Sequence, residues 1–161
     1  MGTNSGNFLL DALPQSQRAA LLESSHHRQL PLGTLIYAQN GPMDEVVFLT
    51  SGLASHVLLL SDGTSGEASV TGRGEVVGLA TWLGDRRSHT ETSMQVAGEG
   101  YVVPMRFFLG MAAGCDELRA CLLQQAAQTI RTLSQTVVCN VEHRATPRLA
   151  RWLRSVQVRL G

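Results

Sequence analysis

Eleven of the sixteen glycines lie between Gly33 and Gly100. Turn signals recur at Gly33, Asn40-Gly41, Ser51-Gly52, Asp62-Gly63, Gly72 and Gly74, roughly every 8 to 12 residues. Between them lie β-rich runs: Thr34–Ala38, Val46–Leu49, Ala54–Leu60, Glu67–Thr71 and Met94–Ala97, then Tyr101–Met105. Strands at this spacing predict an antiparallel barrel or sandwich over residues 31–105, not βαβ units. Asp62-Gly63 is the best hairpin candidate.

The flanks read differently. Residues 7–30 carry helical spacing, with Phe8, Leu9, Leu10 and Leu13 first, then Ala19, Leu21 and Leu22. Proline suits a first helical turn, so Pro14 opens a second short helix. Inside the β region, Gly78-Leu79-Ala80-Thr81-Trp82-Leu83-Gly84 reads as one helical turn, with Leu79, Trp82 and Leu83 on a shared face. Free N–H groups at such a turn can hold an anion near a cavity.

Residues 106–160 read as helix. Leu123, Ala126, Ile130, Leu133, Val137 and Asn140 follow a 3–4 spacing, almost three heptads of a dimer seam. Packing against the chain's own sheet explains the same spacing. Thr146-Pro147 predicts a fresh helix start, with Leu149, Ala150, Trp152, Leu153 and Val156 on its apolar side. So much apolar surface at the end of a chain normally packs on something further along, and a truncated chain is expected.

Composition narrows the function classes. Hydrophobic residues make up 43% and charged residues 16%, as in an ordinary globular domain of 161 residues. No apolar run approaches the roughly 18 residues that span a bilayer. Met1 to Asn7 lacks the basic and apolar parts of a signal peptide, so a cytoplasmic protein is expected. Net charge is zero but unevenly placed. Residues 1–143 hold eight arginines and thirteen acids, a balance of −5, while Arg144, Arg148, Arg151, Arg154 and Arg159 give the tail +5. Such a tail suits nucleic acid, or a solvated helix face beside an acidic body. Cys115, Cys121 and Cys139 fit no zinc or iron–sulfur spacing and read as buried or half-buried thiols.

The order of features resembles the Crp/Fnr superfamily of bacterial regulators. The segments that carry the likeness are Phe8–Pro14, Leu30–Tyr37, Val47–Ser55, Gly72–Gly78, Cys139–His143 and Arg148–Leu153. The resemblance implies an α+β fold: a double-stranded antiparallel β-roll, jelly-roll-like, with short N-terminal helices and a long C-terminal dimerisation helix. It implies a sensor domain over 1–110, a dimer helix over 111–144, and over 145–161 the first helix of a DNA-binding domain that is absent. The expected function is effector sensing and dimerisation for a transcription regulator. The expected partners are a second copy, a small-molecule effector, and DNA only through the absent domain.

The same resemblance makes the ligand site doubtful. Relatives that bind cyclic AMP place Gly-Glu at the short helix and Arg-Ser or Arg-Thr about ten residues later. The glutamate takes the ribose hydroxyl and the arginine takes the phosphate. Here Gly78 matches, but Leu79 stands at the glutamate position, followed by Ala80. Thr90-Glu91 aligns with Arg-Ser; a gapped alignment uses Arg87-Ser88 instead. Candidate ligand contacts are therefore Gly78, Leu79, Ala80, Arg87, Ser88 and Thr90, and cyclic-nucleotide binding is expected to be weak or absent. No other cofactor is indicated. An iron–sulfur sensor needs cysteines before Cys115, and His26, His27, His56, His89 and His143 are scattered. A cupin-type enzyme would need a His-x-His that the chain lacks, and no nucleophile elbow or P-loop is present, so no enzyme is expected. The alternative is a stand-alone interaction domain that does not bind DNA.

Overall fold

A computed structural model describes residues 5–160 of the chain. Residues 1–4 and 161, at the ends of the expected segments 1–110 and 145–161, lie outside the described part. Two short helices come first, α1 (Phe8–Asp11) and α2 (Gln15–Glu23). Six strands follow: β1 (His26–Leu30), β2 (Leu35–Tyr37), β3 (Glu45–Leu59), β4 (Ser65–Gly72), β5 (Val76–Val77) and β6 (Glu91–Pro104). The turn α3 (Leu79–Trp82) sits between β5 and β6. The helices α4 (Met105–Gly114), α5 (Asp116–Glu142) and α6 (Ala145–Leu160) close the chain.

The strands form one antiparallel sheet in the order β1-β6-β3-β4, with β2 also on β6 and β5 also on β3. This is the β-roll of an α+β fold. Where four separate runs were expected, two long strands stand: Val46–Leu49 and Ala54–Leu60 fuse into β3, and Met94–Ala97 and Tyr101–Met105 into β6. The register between these strands slips around Ser51 and Leu53, so the pair bends there without ending. Glycine is required at the bend. Gly52 has φ +81°, and a Cβ on it would lie 2.8 Å from the Gly98 Cα. Asp62-Gly63 does turn a hairpin: the Leu60 N–H donates to the Thr64 carbonyl at 2.8 Å, and Gly63 has φ +85°.

His26–Leu30 is strand, not helix, paired with Gly98–Val102 of β6. The expected helical stretch stops at Glu23, and Pro14 stands just before α2 as its N-cap, not inside it. Asn7 ties α1 to the roll. Its side-chain oxygen accepts from the Leu9 and Leu10 N–H groups, and its amide donates to the Leu49 carbonyl at 2.8 Å and the Glu75 carbonyl at 3.1 Å. The side chain is fully buried and fully used.

Val46 to Leu49 are all buried, which requires cover on both faces of β3. One face is covered by α4, whose Phe108 meets Phe48 edge-on at 6.0 Å. Leu118 and Leu122 of α5 and Leu10 and Leu21 of the first helices complete this core. Residues 106–160 are helical as expected but in three pieces. Cys115 breaks α4 from α5, with its sulfur accepting from the Leu118 N–H at 3.4 Å. Among the described residues, no helix is long and apolar enough to cross a membrane.

Two expectations about the C-terminal helices change. First, the proposed seam divides. Ala126 is buried in the chain's own core and Leu133 turns toward the roll's cavity, while Leu123, Ile130, Val137 and Asn140 point outward. The sheet therefore accounts for part of the spacing, leaving a seven-residue repeat free. Second, α6 begins at Ala145, so Thr146 is not its N-cap and Pro147 lies inside the first turn. Proline is tolerated there because first-turn N–H groups have no helical acceptor. Of its expected apolar side, Trp152 and Val156 are half-buried, whereas Leu149, Ala150 and Leu153 are exposed.

Candidate functional site

The mouth of the roll encloses a cavity of about 260 Å³. Its walls come from β3, β4, α3, the segment Ser88–Thr92, α5 and α6. Each wall has a local reason for its position. Gly78 starts α3 with φ +103°, a conformation side chains rarely adopt, and a Cβ there would meet the Tyr37 hydroxyl at 2.6 Å. That hydroxyl donates to the Glu45 carbonyl at 2.5 Å and lies 3.3 Å from the Val77 carbonyl. Burial, with the Glu45 carboxylate adding to it, holds the phenol protonated far above its ordinary range.

Gln125 sets α5 over the same edge. Its amide oxygen accepts from the Val76 N–H at 3.0 Å and its amide nitrogen donates to the Val76 carbonyl at 2.9 Å. Thr129 and Leu133, one and two turns further on, then face the cavity.

His56 stands in the cavity wall between two threonines. Its Nδ1 lies 3.0 Å from the Thr92 hydroxyl and its Nε2 2.8 Å from the Thr71 hydroxyl. Burial, with the Arg159 guanidinium nearby, lowers its pKa from 6.5 to about 4. The ring is therefore neutral at physiological pH. His56 lines the cavity and is half-buried.

A further wall is α6, folded back across the roll. The Trp152 indole N–H donates to a Glu67 carboxylate oxygen at 2.6 Å. Glu67 also accepts from Ser55 and Gln95. Arg159 forms a two-pronged pair with Glu75, at 3.1 and 3.3 Å, and its carbonyl accepts from the Arg73 N–H at 3.2 Å. The helix comes so close that a Cβ on Gly72 would lie 2.6 Å from the Arg159 Cβ and 2.9 Å from its carbonyl oxygen. Here glycine is needed for space, since its φ is ordinary.

The candidate contacts divide accordingly. Gly78, Leu79, Ala80, Ser88 and Thr90 line the cavity. Arg87 does not: its guanidinium donates to the Asn40 carbonyl at 2.7 Å on the exposed side of the loop. Glu91 is also outside the lining. Among the described residues, the one cationic side chain of fixed charge that lines the cavity is Arg159, which sequence reading missed along with His56, Thr71, Thr92 and Glu75. A local motif could not have found Arg159, which lies 84 residues from its partner Glu75. Chemically, the lining offers hydroxyls, a neutral imidazole, apolar surface from Leu79, Val70 and Leu133, and a guanidinium already held by a carboxylate.

No curated protein matches the chain. Among solved structures, the regulator CLP of Xanthomonas campestris, described as c-di-GMP responsive, superposes with a TM-score of 0.72 at 16% identity, over 88% of this chain and 71% of its own. FixK2 of Bradyrhizobium japonicum gives 0.73 at 18% identity, over 85% and 68%. The sensor domain of the transcriptional regulator DNR from Pseudomonas aeruginosa gives 0.64 at 19%, over 80% and 86%. At such identities these likenesses speak for the fold. The family profile described as the cyclic nucleotide-binding domain matches residues 27–115, from β1 through α4 and more than half of the chain. The chain belongs to the cyclic nucleotide-binding domain family.

Proposed function

We propose that this chain is the effector-sensing and dimerising module of a Crp/Fnr-type transcription regulator whose cavity no longer holds a cyclic nucleotide. The carrying observation is the charge inventory of the cavity. Leu79 offers no acceptor for a ribose hydroxyl, Arg87 turns away, and Arg159 is tied to Glu75. A cyclic phosphate would have to displace a carboxylate from the one fixed cation and then sit beside it, an unfavourable exchange in a partly dry site. The lining favours an effector that is uncharged where it meets His56, Thr71 and Thr92.

Dimerisation follows from α5. Leu123, Ile130 and Val137 recur every seven residues and are 58%, 65% and 63% exposed. Ala127, Ser134 and Val141 fall four residues after each, which makes a heptad seam. A 27-residue helix is about 40 Å long, ample for such a seam. The stripe is exposed and none of its residues lines the cavity, so a second copy can pair on it while the cavity stays closed. Binding in the cavity would then be read out through α5 and α6, which form two of its walls. The reading includes no catalysis, and DNA would be contacted only through a further domain. Assignment of 145–161 to such a domain remains part of the same proposal.

Thermal unfolding of the chain with cyclic AMP and cyclic GMP tests the cavity. The expected shift is below about 1 °C at 1 mM ligand, equivalent to a Kd weaker than about 1 mM. A saturable shift of several degrees overturns the reading.

A further inference from the structure

A second concavity, of about 320 Å³, runs between α5 and α6. Four arginines border it, Arg131 on α5 and Arg151, Arg154 and Arg159 on α6, together with the amides of Gln128 and Gln135. No carboxylate lines it. Helical spacing builds the walls: Gln128, Arg131 and Gln135 follow one row of α5, and Arg151, Arg154 and Arg159 one side of α6.

The protein itself leaves this charge unmatched. Arg159 is engaged by Glu75 from the cavity side. Arg151 donates through Nη1 to the Thr136 hydroxyl at 2.9 Å, but its Nε is buried with no acceptor. Among the described residues, Arg131 and Arg154 make no hydrogen bond or ion pair. A buried donor without a partner is costly, and like charges gathered in one groove repel. A ligand with several anionic oxygens relieves both. Guanidinium forks match phosphate oxygens two at a time, and a small turn of Arg151 toward the groove gives its Nε–H an acceptor.

We propose that the α5–α6 groove binds a compact diphosphate group, either free or carried on a small molecule. Three guanidiniums not engaged by a carboxylate outnumber the charge of one phosphate, and facing walls suit two phosphates side by side. A nucleic-acid backbone offers the same oxygens but arrives on a bulky duplex, and the groove lies recessed between two helices. The groove adjoins the roll's cavity, sharing Thr132 and Arg159 with it, but Arg131, Arg151 and Arg154 line the groove alone.

Calorimetric titration of the whole chain with inorganic pyrophosphate tests the proposal. Saturable binding is expected below about 1 mM, weakening between about 50 and 200 mM salt. The double variant Arg131→Ala/Arg154→Ala removes two exposed side chains, so the fold and its melting temperature should hold while affinity falls at least about tenfold. No saturable heat up to about 10 mM pyrophosphate overturns the proposal. So does equal binding by the double variant. A labelled DNA duplex that binds through Arg131 and Arg154 when pyrophosphate does not would also overturn it, by showing that the groove reads a backbone.

Discussion

Acidification should destabilise this protein through one histidine, and the size of the effect can be worked out. His56 titrates near 6.5 when unfolded and near 4 in the fold, because the roll closes over it and Arg159 lies close. Between those values the unfolded chain binds a proton that the folded chain refuses. Stability from this group is therefore present in full above about pH 6.5 and is lost as pH falls toward about 4. Each tenfold change in proton affinity is worth about 1.4 kcal/mol, so the total is about 3 kcal/mol at most. Water within the cavity would reduce it. The assay is urea unfolding at a series of pH values for the natural chain and for His56→Gln, which never gains charge. Contacts that do not involve His56 are common to both proteins and cancel in the comparison. The stability difference should be flat above pH 7 and shrink by about 2–3 kcal/mol by pH 4. A difference that stays constant across that range would refute the account of a ring held neutral between two threonines.

Two further outcomes concern the helices. Gly72→Ala introduces a Cβ against the Arg159 backbone, which cannot give way as a flexible side chain could. The last turn of α6 should lift, with a loss of about 1–3 kcal/mol. In a Trp82→Phe background, the Trp152 emission should shift to the red as its indole leaves Glu67; unchanged emission and amide protection in α6 would show that the helix is not held there. Separately, Ile130→Asp/Val137→Asp places charge on the exposed stripe of α5, away from the core. Sedimentation should show monomer with the roll still folded, and a persisting dimer would reject the seam.

The β-roll was legible because its signals are local. A glycine at a turn, an Asp-Gly hairpin and β-branched runs each act within a few residues, and the Asp62-Gly63 turn and the α3 turn at Leu79 came out where those signals stood. The errors arose where pairing decided. His26–Leu30 has no strand pattern of its own and is strand because β6 offers it an edge. The Ser51-Gly52 signal marks a bend and not an end, because Gly98 on the neighbouring strand leaves room for the chain to continue.

At the cavity, the spacing of Leu79, Trp82 and Leu83 after Gly78 identified the short helix, while the left-handed φ that needs glycine at its start is a feature of the fold. The sequence also puts Leu79, and not an acid, at the position the resemblance assigns to a ribose contact, and a residue's identity is something folding cannot alter. What Arg159 does was decided only in three dimensions. It reaches the roll because α6 turns back after Glu142, because Gly72 leaves room and because Glu67 and Glu75 hold the helix by its indole and guanidinium. The apolar spacing of α5 likewise had two meanings until the sheet covered Ala126 and left Ile130 bare. Spacing records which residues share a face; only packing determines what that face meets.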